Sequence, residues 1–135
     1  MVADDSAAVR LVLKGLLEEA GVRVVQTVAN GSEALNALRH HQPDLLCLDV
    51  NMPVMDGLDA THRIRDQEIS TGCHIPIIAM TANAMQGDRE NCLNAGMDDY
   101  LAKPINAADL NSKLATIARR KYTAQSLPDQ TPSVN

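Results

Sequence analysis

The fold of this chain is decided by the stretch Leu45-Leu46-Cys47-Leu48-Asp49-Val50-Asn51-Met52-Pro53. An uninterrupted apolar run ends there on the carboxylate of Asp49, and the chain then breaks into a turn. Such a run, bounded by turn residues, is typical of a strand that is buried on both faces, as in a parallel sheet. In open parallel α/β sheets, ligands bind at the carboxyl ends of the strands. Asp49 is therefore a candidate site residue by its position alone.

Apolar runs and helical patterns alternate along the rest of the chain. Strands are predicted at residues 1–3, 22–28, 45–49, 75–80 and 99–102. Helices are predicted near residues 6–20, 33–40, 58–67 and 84–95 and from residue 106 onward. The alternation of strand and helix predicts the α/β class, with a parallel sheet covered on both faces.

Length and composition describe one ordinary domain. With 135 residues, 45% of them hydrophobic and 21% charged, the chain can bury one substantial core. We expect this domain to span residues 1–121. Residues 122–135 contain little to bury and are predicted to form a disordered tail or linker.

Charge and cysteine content exclude several classes of protein. The net charge of −5 argues against a nucleic-acid surface. No apolar segment approaches the roughly 18 residues of a membrane span, and the amino terminus is acidic where a signal peptide would be basic. Three cysteines at wide spacing suit a reducing cytoplasm better than a disulfide framework. We therefore expect a cytoplasmic domain that contacts neither nucleic acid nor membrane.

Polar side chains follow four of the predicted strands. Asp4 and Asp5 follow the first strand, and Asp49, Thr81 and Lys103 end the third, fourth and fifth. Parallel strands end at the same edge of a sheet, so these residues should meet. Gathered carboxylates repel unless a cation neutralises them, and hard oxygen ligands favour Mg²⁺. A hydroxyl and an ammonium beside the metal suit an incoming phosphoryl group, with Asp49 as its nucleophilic acceptor.

These residues carry a resemblance to a known family. The sequence is similar to the receiver domains of two-component response regulators, which share the fold of the chemotaxis receiver. The matching segments are Asp4-Asp5, residues 49–57, Thr81-Ala82 and residues 100–104. Residues 77–85 and 95–100 most resemble the receivers of hybrid histidine kinases. The resemblance implies a three-layer, doubly wound sheet of five parallel strands in the order 2-1-3-4-5.

The resemblance also implies how the acidic residues act. Asp49 would accept a phosphoryl group from a phosphohistidine. Asp5, the carboxylate of Asp49 and the backbone carbonyl of Asn51 would bind Mg²⁺ directly. Asp4 would act mainly through metal-bound water.

The remaining matched residues would sense the phosphoryl group. Thr81 would donate a hydrogen bond to it, and Lys103 would pair with it. The peptide bond between Lys103 and Pro104 is expected to be cis, an option that proline makes accessible. Tyr100 matches the switch aromatic of the family, whose ring turns inward when Thr81 moves toward the phosphate.

Each residue taken singly has a plainer interpretation. A lone Asp or Thr at a strand end is more often a turn former or a helix cap, and a lone Lys is more often a solvated charge. Tyr100 by itself is as often a half-buried core residue as a switch. The joint occurrence of these residues at four strand ends favours the site.

Other functions are weighed against the receiver hypothesis. Phosphatases of the haloacid dehalogenase type form aspartyl phosphates too, but they need a second Asp where this chain has Asn51. A cofactor site of the flavodoxin kind would meet repulsion from Asp4 and Asp5. A phosphorylation-independent structural receiver should lack one of the site residues, and none is missing. We therefore expect a phosphoacceptor with slow autodephosphorylation and no enzymatic turnover of its own.

The context of the domain is also a matter of expectation. We expect a bacterial domain cut from a longer protein, since the first strand retains only residues 1–3. Its partners would be a histidine kinase, or its own kinase core, and a histidine phosphotransfer protein. It should be a monomer or a weak dimer.

Overall fold

A parallel sheet of five strands organises residues 1–105. The computed structural model describes the backbone of residues 1–82 and 86–126 and the side chains of residues 1–82 and 89–119. The strands are β1 (Val2–Ala3), β2 (Thr27–Val28), β3 (Leu46–Asp49), β4 (Ile77–Thr81) and β5 (Asp99–Ala102). The helices are α1 (Ala7–Glu19), α2 (Gly31–Leu38), α3 (Gly57–Thr71), α4 (Gln86–Ala95) and α5 (Ala107–Ser126). The strand order is β2-β1-β3-β4-β5, as predicted.

The core follows from the alternation of side chains along the strands. Ala3, Leu48 and Ala79 face one way and form a buried cluster with residues of α2, α3 and α4. Neighbouring residues such as Cys47 and Ile78 point to the opposite face and are also buried. Helix α1, which contacts β1, buries Leu13 and Leu17. Because both faces of the strands are covered, they can be continuously apolar, as the sequence indicated.

Helix starts are fixed by side-chain caps. Ser6 caps α1 by accepting a hydrogen bond from the backbone N–H of Val9. Asn30 caps α2 by accepting from Glu33, whose carboxylate in turn accepts from the backbone of Ala29. These two hydrogen bonds hold the start of α2 at Gly31, two residues earlier than predicted.

Strands β2 and β4 begin two or more residues later than the sequence predicted. Strand β2 lies at the edge of the sheet and pairs with the two residues of β1, so it covers Thr27–Val28 instead of residues 22–28. Strand β4 begins at Ile77 instead of residue 75. The backbone N–H and carbonyl of Ile75 are bound by the side chains of Glu68 and Arg65 in α3, which removes them from the strand ladder.

Helices α3 and α5 extend further than predicted. Helix α3 continues past residue 67 to Thr71, where Gly72 adopts φ 75° and donates its N–H to the carbonyl of Glu68. Helix α5 belongs to a second compact unit that starts at Asn106, whose side chain accepts a hydrogen bond from the backbone N–H of Asp109. It runs to Ser126, so residues 122–126 are helical where a disordered tail was predicted. Residues 84 and 85 of the predicted fourth helix and residues 127–135 of the predicted tail lie outside the described residues.

One arginine ties α3 to the amino ends of two strands. The guanidinium of Arg65 pairs with Asp98, just before β5, at 2.9 Å and with Glu68 at 2.6 Å. It also donates to the carbonyls of Gly96 and Ile75, just before β5 and β4. Asp98 accepts a further hydrogen bond from the N–H of Ile77. This network fixes the amino edge of the sheet, opposite the edge where the strands end.

Gly57 allows α3 to begin directly on the end of β3. Its N–H donates to the carbonyl of Val50 at 2.9 Å. A Cβ atom at this position would lie 2.2 Å from the backbone carbonyl oxygen of Asp49, far inside van der Waals contact. The helix therefore needs glycine here in order to pack against the strand.

We expect Gly57→Ala to lower the free energy of unfolding by about 1–3 kcal/mol, because the backbone of β3 or α3 must shift. Gly15→Ala is the matched control, since Gly15 is exposed in α1 and a Cβ there meets no atom of the described residues within 4 Å. That change should stabilise the protein by about 0.5–1 kcal/mol through helix propensity. Urea denaturation of both variants measures the contrast. Equal effects of the two substitutions would contradict the close approach.

Candidate functional site

The predicted site residues meet at the carboxyl edge of the sheet. Asp4 follows β1, and Asp49 and Thr81 are the last residues of β3 and β4. Lys103 follows β5 directly, and its backbone N–H donates to the carbonyl of Thr81 at 2.8 Å. The parallel register brings these four positions to adjacent strand ends. The juxtaposition predicted from the sequence is therefore present.

The ammonium of Lys103 lies between two buried carboxylates. Its Nζ is 2.9 Å from Oδ2 of Asp4 and 3.2 Å from Oδ2 of Asp49. The side chains of Asp4 and Asp49 are 0% and 4% exposed, and that of Lys103 is 21% exposed. Carboxylates this poorly hydrated need a counter-charge, and Lys103 supplies one.

The acidic residues could also hold a metal ion. Asp4, Asp5 and Asp49 each place a carboxylate oxygen within 4.8 Å of the others, with Asp5 on the exposed side. Oδ1 of Asp4 accepts the N–H of Ser6, and the buried Oδ2 has the ammonium of Lys103 as its partner. Three carboxylates that share one ammonium form an all-oxygen set with excess negative charge, which fits a hard cation such as Mg²⁺. Two of the three carboxylates already face one cation, and a divalent ion would complete their neutralisation.

The pKa values of Asp49 and Lys103 are shifted by burial and by the charges around them. Burial raises the pKa of Asp49, the nearby charge of Asp4 raises it further, and Lys103 and the N–H of Asn51 pull it down without cancelling the rise. Burial lowers the pKa of Lys103, but contact with Asp4 and Asp49 outweighs this, so its pKa is raised overall. Contact with the carboxylates therefore favours the ammonium form of Lys103, and an additional cation would favour the ionised form of Asp49.

The loop after β3 is held in a strained turn that the sequence did not predict. Val54 has φ 69°, which is rare for a β-branched residue, and the N–H of Met55 donates to the carbonyl of Pro53 at 2.7 Å. This geometry is a γ-turn of the strained, positive-φ kind. The carbonyl of Met55 accepts the N–H of Gly31, which anchors the loop to the start of α2. Pro53 signals a turn in the sequence, but nothing in the identity of Val54 signals its conformation.

Asn51 starts this loop beside the central carboxylate. Its backbone N–H donates to Oδ1 of Asp49 at 3.3 Å, and its side chain is exposed. The hydrogen bond orients the carboxylate of Asp49, with its Oδ2 left to Lys103. Asn83, two residues beyond Thr81, lies outside the described residues.

Tyr100 lies in β5, three residues before Lys103. Its ring is half-buried against the cluster under α2, α3 and α4. The guanidinium carbon of Arg89, in α4, is 5.5 Å from the centre of the ring. No sequence pattern indicated a role for Arg89, because the contact depends on how α4 lies against β5. The peptide bond between Lys103 and Pro104 is cis, as predicted.

Comparison with known proteins agrees with this arrangement. A family model described as the response regulator receiver domain matches residues 1–115. The chain is 40% identical over 133 residues to the sensor histidine kinase GacS of Pseudomonas protegens, and the match covers 98% of this chain but 14% of that protein. Within the described ranges, each helix is too short or too polar to cross a membrane.

Two solved structures are similar as well. One is the receiver domain of a sensor histidine kinase from Pseudomonas aeruginosa, with a magnesium ion coordinated in its active-site cleft. It is 43% identical, has a TM-score of 0.76, and the match covers 87% of this chain and 94% of that one. The other is the receiver domain of Ssk1 from Saccharomyces cerevisiae, crystallised with the phosphotransfer protein Ypd1. It is 28% identical, with a TM-score of 0.82 and coverage of 96% and 91%.

The raised pKa of Asp49 predicts a pH dependence of stability. The folded chain keeps the proton of Asp49 to a higher pH than the unfolded chain does, so the free energy of unfolding should fall as pH rises from 3.8 through the raised value. Without Mg²⁺, Asp49→Asn should remove this fall and unfold at a higher urea concentration than the wild type at pH 7. Asp66→Asn, at an exposed position of α3, is the control and should leave the fall in place. If Asp49→Asn were less stable than the wild type at pH 7, this result would contradict the raised pKa of Asp49.

Proposed function

Because the chain belongs to the response regulator receiver domain family of two-component systems, we propose that Asp49 is its phosphoacceptor, taking the phosphoryl group of a phosphohistidine. The observation that supports this most is the position of the Asp49 carboxylate, which lies at the end of β3 between Lys103 and the acidic residues. One of its oxygens would attack phosphorus as the bond between phosphorus and the imidazole nitrogen breaks. The departing imidazole keeps the electron pair of the broken bond. It leaves as neutral imidazole, with one ring nitrogen that already carries a proton or that takes one up.

Asp5, Asp49 and the backbone carbonyl of Asn51 would hold Mg²⁺, with Asp4 acting through water. When bound, Mg²⁺ neutralises charge on the carboxylates and on the phosphoryl oxygens. Asp4 suits the indirect role because it is buried and already held by Ser6 and Lys103, whereas Asp5 is exposed and open to a ligand.

Lys103 and Thr81 would recognise the phosphoryl group. The ammonium of Lys103 already lies 3.2 Å from an oxygen of Asp49, so it can turn to a phosphoryl oxygen attached there. Thr81, buried at the end of the neighbouring strand, would donate its hydroxyl to another of these oxygens. Both act by positioning and charge neutralisation, which dominate phosphoryl transfer.

Output would be a shift between two conformations. Movement of Thr81 toward the phosphate would free space beside β5, and the ring of Tyr100 would turn inward. Phosphorylation can drive this change only as far as it stabilises one conformation more than the other.

The domain would accept a phosphoryl group without turning over as a phosphatase. Asn51 occupies the position where a haloacid dehalogenase phosphatase needs a second Asp, so the chain offers no general acid there. Family membership does not favour that alternative either. The phosphoryl group would leave by slow hydrolysis, and the aspartyl phosphate would persist as a signal.

The domain would be part of a larger signalling protein. The chain spans 14% of the GacS sequence that it matches, so the activity of a whole protein is not carried over. We infer a receiver attached to a cytoplasmic part of a hybrid kinase, supplied by that kinase core and delivering to a histidine phosphotransfer protein. Residues 1–121 would form the receiver.

Mg²⁺ with a small-molecule phosphodonor should add one phosphoryl group per chain, and Asp49→Asn should abolish the addition, because it removes the nucleophile. Intact-mass spectrometry measures the added group. Asp66→Asn, which alters an exposed carboxylate of α3, should be labelled like the wild type. If Asp49→Asn were labelled at the same stoichiometry as the wild type, Asp49 could not be the phosphoacceptor.

Lys103→Ala should bind Mg²⁺ at least as tightly as the wild type, because it removes the cation that shares Asp4 and Asp49. It should, however, lose the response of Tyr100 to phosphorylation. Calorimetry measures the first effect and tyrosine NMR the second, with Lys14→Ala on exposed α1 as the control. A tyrosine response equal to that of the wild type would count against a role of Lys103 in coupling.

A further inference from the structure

Arg89 and Tyr100 form a contact that the phosphoacceptor chemistry does not use. The guanidinium carbon of Arg89 lies 5.5 Å from the centre of the Tyr100 ring, within the roughly 6 Å over which a cation is attracted to an aromatic face. Arg89 is exposed on α4, and Tyr100 is half-buried in β5. The cation therefore covers a ring that also packs against the core cluster.

The contact occurs in the same structure in which Lys103 is paired with Asp4 and Asp49. Lys103 pairs there with Oδ2 of Asp49 and with Asp4, the partners it would leave for a phosphoryl oxygen. Tyr100 is half-buried in this same arrangement. An interaction that holds the ring here stabilises the resting conformation over the one in which the ring has moved.

We propose that Arg89 is a positioning residue that holds Tyr100 in its resting orientation and thereby sets how readily the domain responds to phosphorylation. The inference rests on the proposed function, since it concerns the switch that Asp49 would drive. An exposed cation–π contact changes an equilibrium by about two- to fivefold. Loss of the contact should enlarge the responsive population, and ligands that select this population should bind correspondingly tighter.

The test is a double-mutant cycle read out with beryllium trifluoride and Mg²⁺, a phosphoryl analogue. Arg89→Gln should lower the apparent Kd of the analogue by about two- to fivefold when Tyr100 is present. The same change combined with Tyr100→Leu should have no further effect, because the ring is gone. Arg63→Gln is the matched control, since it removes an exposed arginine of α3 that pairs with Asp59.

A second measurement follows the ring itself. The chain has two tyrosines and neither Phe nor Trp, so 3-fluorotyrosine gives two ¹⁹F signals, and Tyr122→Phe assigns them. Without the analogue, the Tyr100 signal should shift in Arg89→Gln and stay in place in Arg63→Gln. Arg89→Lys, which keeps the charge, should move it less than Arg89→Gln.

The outcomes separate the two proposals. The role of Arg89 would be overturned if Arg89→Gln changed the apparent Kd of the analogue equally with and without the Tyr100 ring. It would also be overturned if Arg63→Gln changed the Kd by the same factor. In either case the effect would come from net charge. An unchanged Kd together with an unchanged ¹⁹F signal would overturn it too. If the wild-type chain failed to bind the analogue, the proposed function would fall and the switch role of Arg89 with it, even if the ¹⁹F signal still responded to Arg89.

Discussion

Burial of charge at the end of a parallel sheet is the constraint on which this structure depends. Asp4 and Asp49 have almost no exposed surface, and the ammonium of Lys103 reaches both. Burial first, and the nearby charge of Asp4 second, raise the pKa of Asp49, so the arrangement holds one cation and has capacity for more positive charge. A site of this kind is already prepared for a metal ion and for the transfer of an anionic group.

The sequence predicted the order of elements because the signals for it are local. Continuous apolar runs predicted the buried strands, and the helices predicted to begin near residues 6 and 106 begin at Ala7 and Ala107. Element ends that depend on tertiary partners were predicted less well. The length of β2 follows from its edge position, the start of β4 from side chains of α3, and the end of α5 from a helix that continues through a polar segment.

In the candidate site, too, some features could be predicted from the sequence and others could not. Its residues at the strand ends could be predicted because parallel topology converts distant positions into neighbours, and Lys103 does contact Asp4 and Asp49. The positive φ of Val54 and the placement of Arg89 over Tyr100 could not be predicted, since one is a property of the loop path and the other of how a helix lies on a strand.

The network of Arg65 has a mechanical consequence. By binding the residues just before β4 and β5, it pins those strands to α3 at their amino ends, while their carboxyl ends carry Thr81 and lead into Lys103. The ladder between β4 and β5 is thus backed at its amino end by side chains of α3, in addition to its own backbone hydrogen bonds. Side chains at the carboxyl edge can therefore rearrange while the opposite edge keeps its position.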